Sequence, residues 1–294
     1  MRSSKTTFFF LSLPWIITFL LFWAFPILYS FLIGLTDCSL HSFQLLPWEN
    51  HWIGTANYHA LISDPDFISS VKNTFIFVFG TIPVTTVLAL VMALLVSGHL
   101  KGRALFRAGY FMPSITSLVV ISLIFINLYQ RGGYIALLCE MVGITSPVNG
   151  FLYDRGTALY AVMAMDIWMS AGYYMLIFLA GLKAIPEELY EVAEVNGASP
   201  WRRFFSITLP LLKPVALFII VINSIKSFQV FVEIFVMTKG RYDTSTMVYF
   251  IYDTGLATAF RFGYASAAAY ILFLIIAAFS LLQFVLLRRR SAVW

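Results

Sequence analysis

Residues 191–210 read EVAEVNGASPWRRFFSITLP. They stand between two apolar segments, 156–182 and 214–238, each long enough to cross a membrane. Pro186 suits the first position of a helix. Glu187 and Glu188 follow it, where the positive helix end favours acidic side chains. Leu189, Val192 and Ala193 then recur at i, i+3 and i+4 as one apolar stripe, and Glu187, Glu191 and Glu194 line another face. Gly197 can take a positive φ and stop the helix. Ser199-Pro200 restarts it as "PWRRFFSI", and Leu209-Pro210 is expected to end that second helix and return the chain to the apolar phase. The predicted product is a helix–turn–helix block outside the spans. An amphipathic helix lying among headgroups is the plain alternative. The acidic face argues against it, because anionic lipid repels carboxylates. A docking knob for another protein fits better: small residues allow close approach and the surrounding charges fix orientation.

Composition supports a membrane setting on either side of this block. The chain has 294 residues, 60% hydrophobic and only 11% charged, too few charges for the surface of a soluble protein of that size. No Asp, Glu, Lys or Arg occurs in 6–36, 73–100, 108–130 or 262–287, and each gap exceeds the roughly 20 residues a spanning helix needs. The two segments flanking the opening stretch carry Asp166, and Lys226 with Glu233. The expected fold is therefore all-α and polytopic, with six transmembrane helices. Helices are required because lipid satisfies no backbone hydrogen bond, and the segments are too long for barrel strands. The first span exceeds the apolar run of a signal peptide and is read as retained, kinked at Pro14 and Pro26. Pro83 and Pro113 are expected inside the second and third spans.

Six spans place both termini on one side. That side then carries Arg2, Lys5, Lys101, Arg103, Arg107, Lys183, Arg202, Arg203, Lys213, Arg288, Arg289 and Arg290, twelve cations against six on the other. The positive side is cytoplasmic. The net charge of +5 arises from this bias; it implies contact with anionic membrane lipid and lends no support to nucleic-acid binding. On the outer side, "LLPWENHWIGTANYHALISDPDF" should fold locally and "GGYIALLCEMVGIT" should form a short helix between glycines. Cys38 and Cys139 show no metal spacing and are expected as two free thiols, with a disulfide as the alternative. Residues 1–70 are read as the first helix and its outer loop, and 71–290 as the core of five further helices, with the cytoplasmic loop at 183–213.

The loop resembles the EAA loop of membrane subunits from binding-protein-dependent ABC importers. The signature is E-A-A, three residues, G, nine residues, I-x-L-P. Here it reads Glu191-Val192-Ala193, then Gly197, then Ile207-Thr208-Leu209-Pro210, with Val192 for alanine and Asn196 where Asp is common. "SFQVF" and "GYASAAAYILFLII" extend the resemblance to the carbohydrate-type permeases of the maltose and glycerol-3-phosphate group. The resemblance implies the type I ABC importer permease fold in a bacterial cytoplasmic (inner) membrane. It implies transport of a sugar or related polyol by alternating access, with a glycerol-3-phosphate-type substrate as the alternative. It implies three partners: a second homologous permease, a cytoplasmic ABC ATPase dimer and an extracytoplasmic substrate-binding protein. Glu191, Ala193 and Gly197 would contact the ATPase, joined by Glu187, Glu194 and Arg202. ATP and magnesium would belong to that partner. The sequence itself holds no G-x-x-x-x-G-K-[ST] phosphate loop, and an enzyme is not expected.

Polar residues inside spans are candidates for a substrate path. The fifth span offers Asn223, Lys226, Gln229 and Glu233, with Asn223, Lys226 and Glu233 expected on one helical face. Lys226 and Glu233 lie too far apart along a helix to pair, so each is expected to face a partner helix or a wet cavity. The fourth span offers Asp166, Trp168, Tyr173 and Tyr174, whose aromatic and hydrogen-bonding groups suit a sugar ring. Polar side chains also glue helices together, and end-of-span aromatics also form interfacial belts. Many relatives carry an acidic residue where Val232 stands, and Gly-Gly-Pro where Thr238–Tyr242 stands. A different class, an ion-coupled secondary transporter, would use Asp166, Lys226 and Glu233 as a relay. A membrane scaffold would leave those charges without a role.

Overall fold

The structure, a computed structural model, describes residues 2–44, 46–98 and 102–288, and of these the side chains of 8–285. Lys101, Arg289 and Arg290 lie outside the described residues, as do the side chains of Arg2, Lys5 and Arg288. All the long elements are helices: α1 (Arg2–Phe19), α2 (Phe25–Gly34), α3 (Ala56–Ile62), α4 (Pro65–Ser97), α5 (Arg103–Ile115), α6 (Leu118–Tyr129) and α7 (Tyr134–Met141) come first. They are followed by α8 (Ala158–Lys183), α9 (Glu187–Val195), α10 (Pro200–Arg203), α11 (Leu209–Phe228), α12 (Val232–Met237), α13 (Met247–Tyr252) and α14 (Phe262–Arg288). Among the described residues five continuous helical runs are long and apolar enough to span a membrane: Phe8–Gly34, Pro65–Ser97, Ala158–Lys183, Pro200–Phe228 and Phe262–Val285. The bent pair α5 and α6 meets the same test only when its two helices are taken together.

That pair corrects the expectation of a straight third helix. α5 and α6 meet at 98°. Pro113 supplies no N–H to the turn before it. Thr116 and Ser117 then adopt extended ψ values of 148° and 125°. The hydroxyls of Ser114 and Thr116 donate to the carbonyls of Phe111 and Met112, a local alternative that competes with regular helix. The fifth span is corrected at both ends. Its helix does not stop at Leu209-Pro210. A π-helical turn at Phe204–Thr208 joins α10 to α11, absorbing the proline's missing donor in a widened turn. The helix instead ends at Phe228, ten residues before the apolar segment 214–238 does. In the first span a π-turn at Leu20–Ala24 separates α1 from α2, between the two prolines.

The chain divides into two compact units. The smaller comprises Met1–Ile68 with Phe250–Phe273. Within it the outer segment folds locally, as expected. Asn57 Nδ2 donates to the carbonyls of Gly34 and Thr36, both at 3.0 Å, and Tyr264 Oη donates to Asp64 Oδ2 at 2.7 Å. Cys38 is buried and free; burial, with the Asp37 carboxylate beside it, pushes its thiol pKa upward. Maleimide should therefore label Cys139, which is free and only part-buried, before Cys38, and Cys38 labelling should rise only at more alkaline pH. Mass spectrometry of the labelled protein in detergent reads the order.

The larger unit comprises Ser69–Tyr249 with Leu274–Trp294. Its axis is α8, two thirds of whose apolar window is buried. Near its start Leu159, Val162, Met165 and Met169 pack with Phe77, Ile121 and Ile234; further along, Tyr174, Met175 and Phe178 pack with Ala89, Ala93, Leu212 and Ile219. α5 approaches α8 at Gly172, where a Cβ would lie 1.8 Å from the Tyr110 carbonyl oxygen and 3.2 Å from Phe111 Cα. Small residues permit this backbone proximity in membranes. Gly172→Ala should force α5 off α8 and cost about 1–3 kcal/mol. A lowered unfolding midpoint in detergent reports it.

Candidate functional site

Two groups of side chains stand out, one inside the helices of the larger unit and one on the loop that joins two of them. The inner group centres on Lys226, near the end of α11. Its Nζ donates to Asp166 Oδ1 at 2.8 Å and to Ser170 Oγ at 2.6 Å. Ser170 Oγ in turn donates to Asp166 Oδ1 at 3.2 Å. Asp166 and Ser170 are one turn apart on α8, so both face the same neighbour. The ion pair is asymmetric: the Asp166 side chain is 2% exposed and that of Lys226 40%. The ammonium reaches from a half-open position to a carboxylate that has no other cation among the described ion pairs.

The remaining candidates are placed around this pair. Asn223 is buried one turn before Lys226, and its Nδ2 has no hydrogen-bond partner. Its neighbour Ser224 accepts from Gln283 Nε2 at 2.8 Å, tying α11 to α14. Gln229 is exposed at the end of α11. Glu233 is buried in α12. The chain leaves helical geometry at Phe231, with φ −142°, before α12 begins. The single helical face expected for Asn223, Lys226 and Glu233 is therefore not formed, because a seven-residue register needs an unbroken helix. Trp168, 49% exposed, packs its ring 5.3 Å from Phe125; Tyr173 lies 5.3 Å from Tyr174 on the same helix. Sequence reading missed Ser170, although its spacing of four from Asp166 was the available signal. Among the described residues no group of three or more His, Cys, Asp and Glu could hold a metal ion.

The second group is the 183–213 loop. α9 presents Glu187, Glu191, Val192 and Val195 to solvent, with Ala193 partly covered. Gly197 has φ +74° and open space around it, which ends the helix as expected. Ser199 Oγ accepts from the Arg202 backbone N–H at 3.3 Å and caps α10. The side chain of Arg202 is exposed. Two contacts fasten α9 to the helix that follows: Arg203 Nη1 donates to Glu194 Oε2 at 2.8 Å, and the hydroxyls of Tyr190 and Thr208 meet at 2.9 Å. Neither Arg203 nor Tyr190 stood among the expected site residues.

Long apolar helices around an ion pair, joined by a loop that folds into its own helical block, define a polytopic helical membrane protein. A model of the family described as the binding-protein-dependent transport system inner membrane component matches residues 65–292, and the chain belongs to that family. It is a transport permease of the inner membrane, not an enzyme, and the family implies a substrate-binding protein as partner. It is 32% identical over 243 residues to the lactose transport system permease protein LacF of Rhizobium radiobacter, covering 81% of this chain and 82% of LacF. It is 31% identical over 286 residues to the arabinooligosaccharides transport system permease protein AraP of Bacillus subtilis, covering 96% and 88%. A chain in the crystal structure of a bacterial alginate ABC transporter, in complex with an alginate pentasaccharide-bound periplasmic protein, matches at a TM-score of 0.80. The identity is 22%, over 99% of this chain and 96% of that one, and the likeness establishes the permease fold.

The inner group gives a directional prediction. Lys226→Met leaves Asp166 buried and unpaired and should cost about 3–5 kcal/mol of stability. Asp166→Asn should cost less, because Lys226 can carry its charge toward its open side. The double variant should recover much of the Lys226→Met loss. Unfolding midpoints of the three variants in one detergent decide it.

Proposed function

We propose that this chain is the membrane-spanning permease subunit of an ATP-driven importer of a sugar or related polyol. It pairs with a second homologous permease, and substrate passes between the two by alternating access. Both termini face the cytoplasm, so the 183–213 loop does too. A separate ATPase dimer seats the loop through Glu187, Glu191, Ala193, Glu194, Gly197 and Arg202, and ATP and magnesium are bound there. Residues 71–290 form the translocating core. Candidate path residues are Asn223, Lys226, Gln229, Glu233, Asp166, Trp168 and Tyr173. The sugar reading is supported by relatives named for lactose and arabinooligosaccharides.

The observation that carries the coupling role is the shape of α9. It is a short helix whose apolar side chains Leu189, Val192 and Val195 are 43%, 60% and 89% exposed. It is fastened to the following helix by the part-buried Tyr190–Thr208 contact and, at the surface, by the Glu194–Arg203 ion pair. A helix fastened on one side with an uncovered apolar face on the other transmits force from whatever covers that face. Gly197→Asp places a side chain in a left-handed conformation that L residues disfavour by about 1–2 kcal/mol and adds a charge beside the docking face. Co-purification of the ATPase with a tagged chain should fall at least about tenfold. Transport by the isolated chain in liposomes, abolished by an uncoupler and indifferent to ATP, would refute the proposal in favour of an ion-coupled carrier.

A further inference from the structure

α7 has two apolar faces, and the fold covers only one of them. Tyr134, Leu137, Leu138 and Met141 recur at i, i+3, i+4 and i+7, and all four are 47% to 83% exposed. At about 100° per residue, Ala136 and Cys139 stand on the opposite side of the helix. Ala136 is fully buried there, and Ile135 packs against the core around α8. Gly143, with φ +82°, ends the helix, and the Ile144 N–H donates back to the Cys139 carbonyl at 2.8 Å. Val142 and Ile144 carry the exposed apolar surface past that end. Glu140, the one charged residue of α7, is exposed as well and accepts from Ser146, but it lies about 110° from the middle of the stripe.

The helix stands where a membrane surface falls. α7 begins in a tight reversal at the end of α6, where a Cβ on Gly133 would lie 2.7 Å from the Asn127 carbonyl oxygen and 2.9 Å from that of Gln130. Tyr129, the last residue of α6, donates its hydroxyl to the Ala161 carbonyl near the start of α8 at 2.9 Å, so these two apolar helices end level with one another. Tyr134 and Tyr160, both exposed, lie just beside those ends, and tyrosine rings collect where hydrocarbon meets water. α6 also needs a hold at this level. Its 12 residues make about 18 Å of helix against roughly 30 Å of hydrocarbon, and it turns 98° away from α5.

Charge separates this face from the one on α9. The exposed apolar residues of α9 are ringed by Glu187, Glu188, Glu191 and Glu194, which anionic headgroups repel. The stripe of α7 is preceded by the exposed Arg131, whose guanidinium suits headgroup phosphates, and its only carboxylate stands off to the flank. We propose that α7 is an interfacial anchor: the face formed by Tyr134, Leu137, Leu138 and Met141 lies in the headgroup boundary of the bilayer and fixes the depth of the short α6 span. A half-sunk apolar stripe is the usual way a helix rests on a membrane without crossing it. On α7 the face turned from lipid meets the protein's own core in place of water. The anchor works on whichever side of the membrane the loop lies.

The test places a nitroxide label on the full chain, by itself and in the assembled transporter, in nanodiscs of phosphatidylethanolamine and phosphatidylglycerol. Cys38→Ser and Cys139→Ser clear the background. Leu137→Cys, Leu138→Cys, Glu140→Cys and Met141→Cys then each carry the label in turn. The ratio of collisions with oxygen, which dissolves in lipid, to collisions with a water-soluble nickel chelate should be several-fold higher at 137, 138 and 141 than at 140, in both preparations. Water-like collisions at all four positions overturn the proposal. So does a stripe that is open in the chain by itself but shielded from both reagents in the assembled transporter, which would give the face to a protein partner.

Discussion

A single contact, Lys226 to Asp166 across 2.8 Å, ties the most buried of the five continuous spans to the helix that emerges from the 183–213 loop. Helices in lipid gain no hydrophobic drive from meeting one another, so their register rests on close packing and on polar contacts. A charged pair adds strongly to it, since either partner left alone is expensive. Ser170 completes the arrangement by occupying both partners, and Gly172, one half-turn on, lets α5 close on the same helix. The inner surface of α8 is thus specified by polar contact on one side and by absence of a side chain on the other.

From that helix the structure runs without interruption to the loop. α10, the π-turn and α11 form one helical run of 29 residues, about 43 Å long at helical rise. At one end Arg203 and Thr208 hold α9; at the other Lys226 holds α8. α9 and α8 are therefore both attached to one continuous helical run, the first near its start and the second near its end.

Four spans were legible because each charge gap is longer than the helix needed to cross the hydrocarbon core, and two more because they stay apolar around Asp166 and around Lys226 and Glu233. The loop was equally legible, since Gly197 and Ser199 act through local backbone chemistry and did so here, while Pro186 stands one residue ahead of its expected place, as the N-cap of α9. What hydropathy could not register was direction. The bend at Thr116 and Ser117 and the helix end at Phe228 both fall inside apolar sequence, where turning costs no change of composition. Counting the fifth span through to Thr238 put Glu233 on a face it does not share. The partner of Lys226 was likewise invisible, because it lies sixty residues away on another helix.

The π-turn at Phe204–Thr208 has an angular consequence. It holds one residue more per turn than an α-helix would, and each residue of an α-helix advances the side-chain direction by about 100°. The extra residue sets the phase between Arg203, which grips the loop, and Asn223 and Lys226, which face the interior. Without it the same attachments would be rotated by roughly a quarter turn relative to one another, so that the contacts of Arg203 with Glu194 and of Lys226 with Asp166 would no longer be in phase. The widened turn is in effect the setting of a clock hand: it decides which way the interior looks when the outer block is held still.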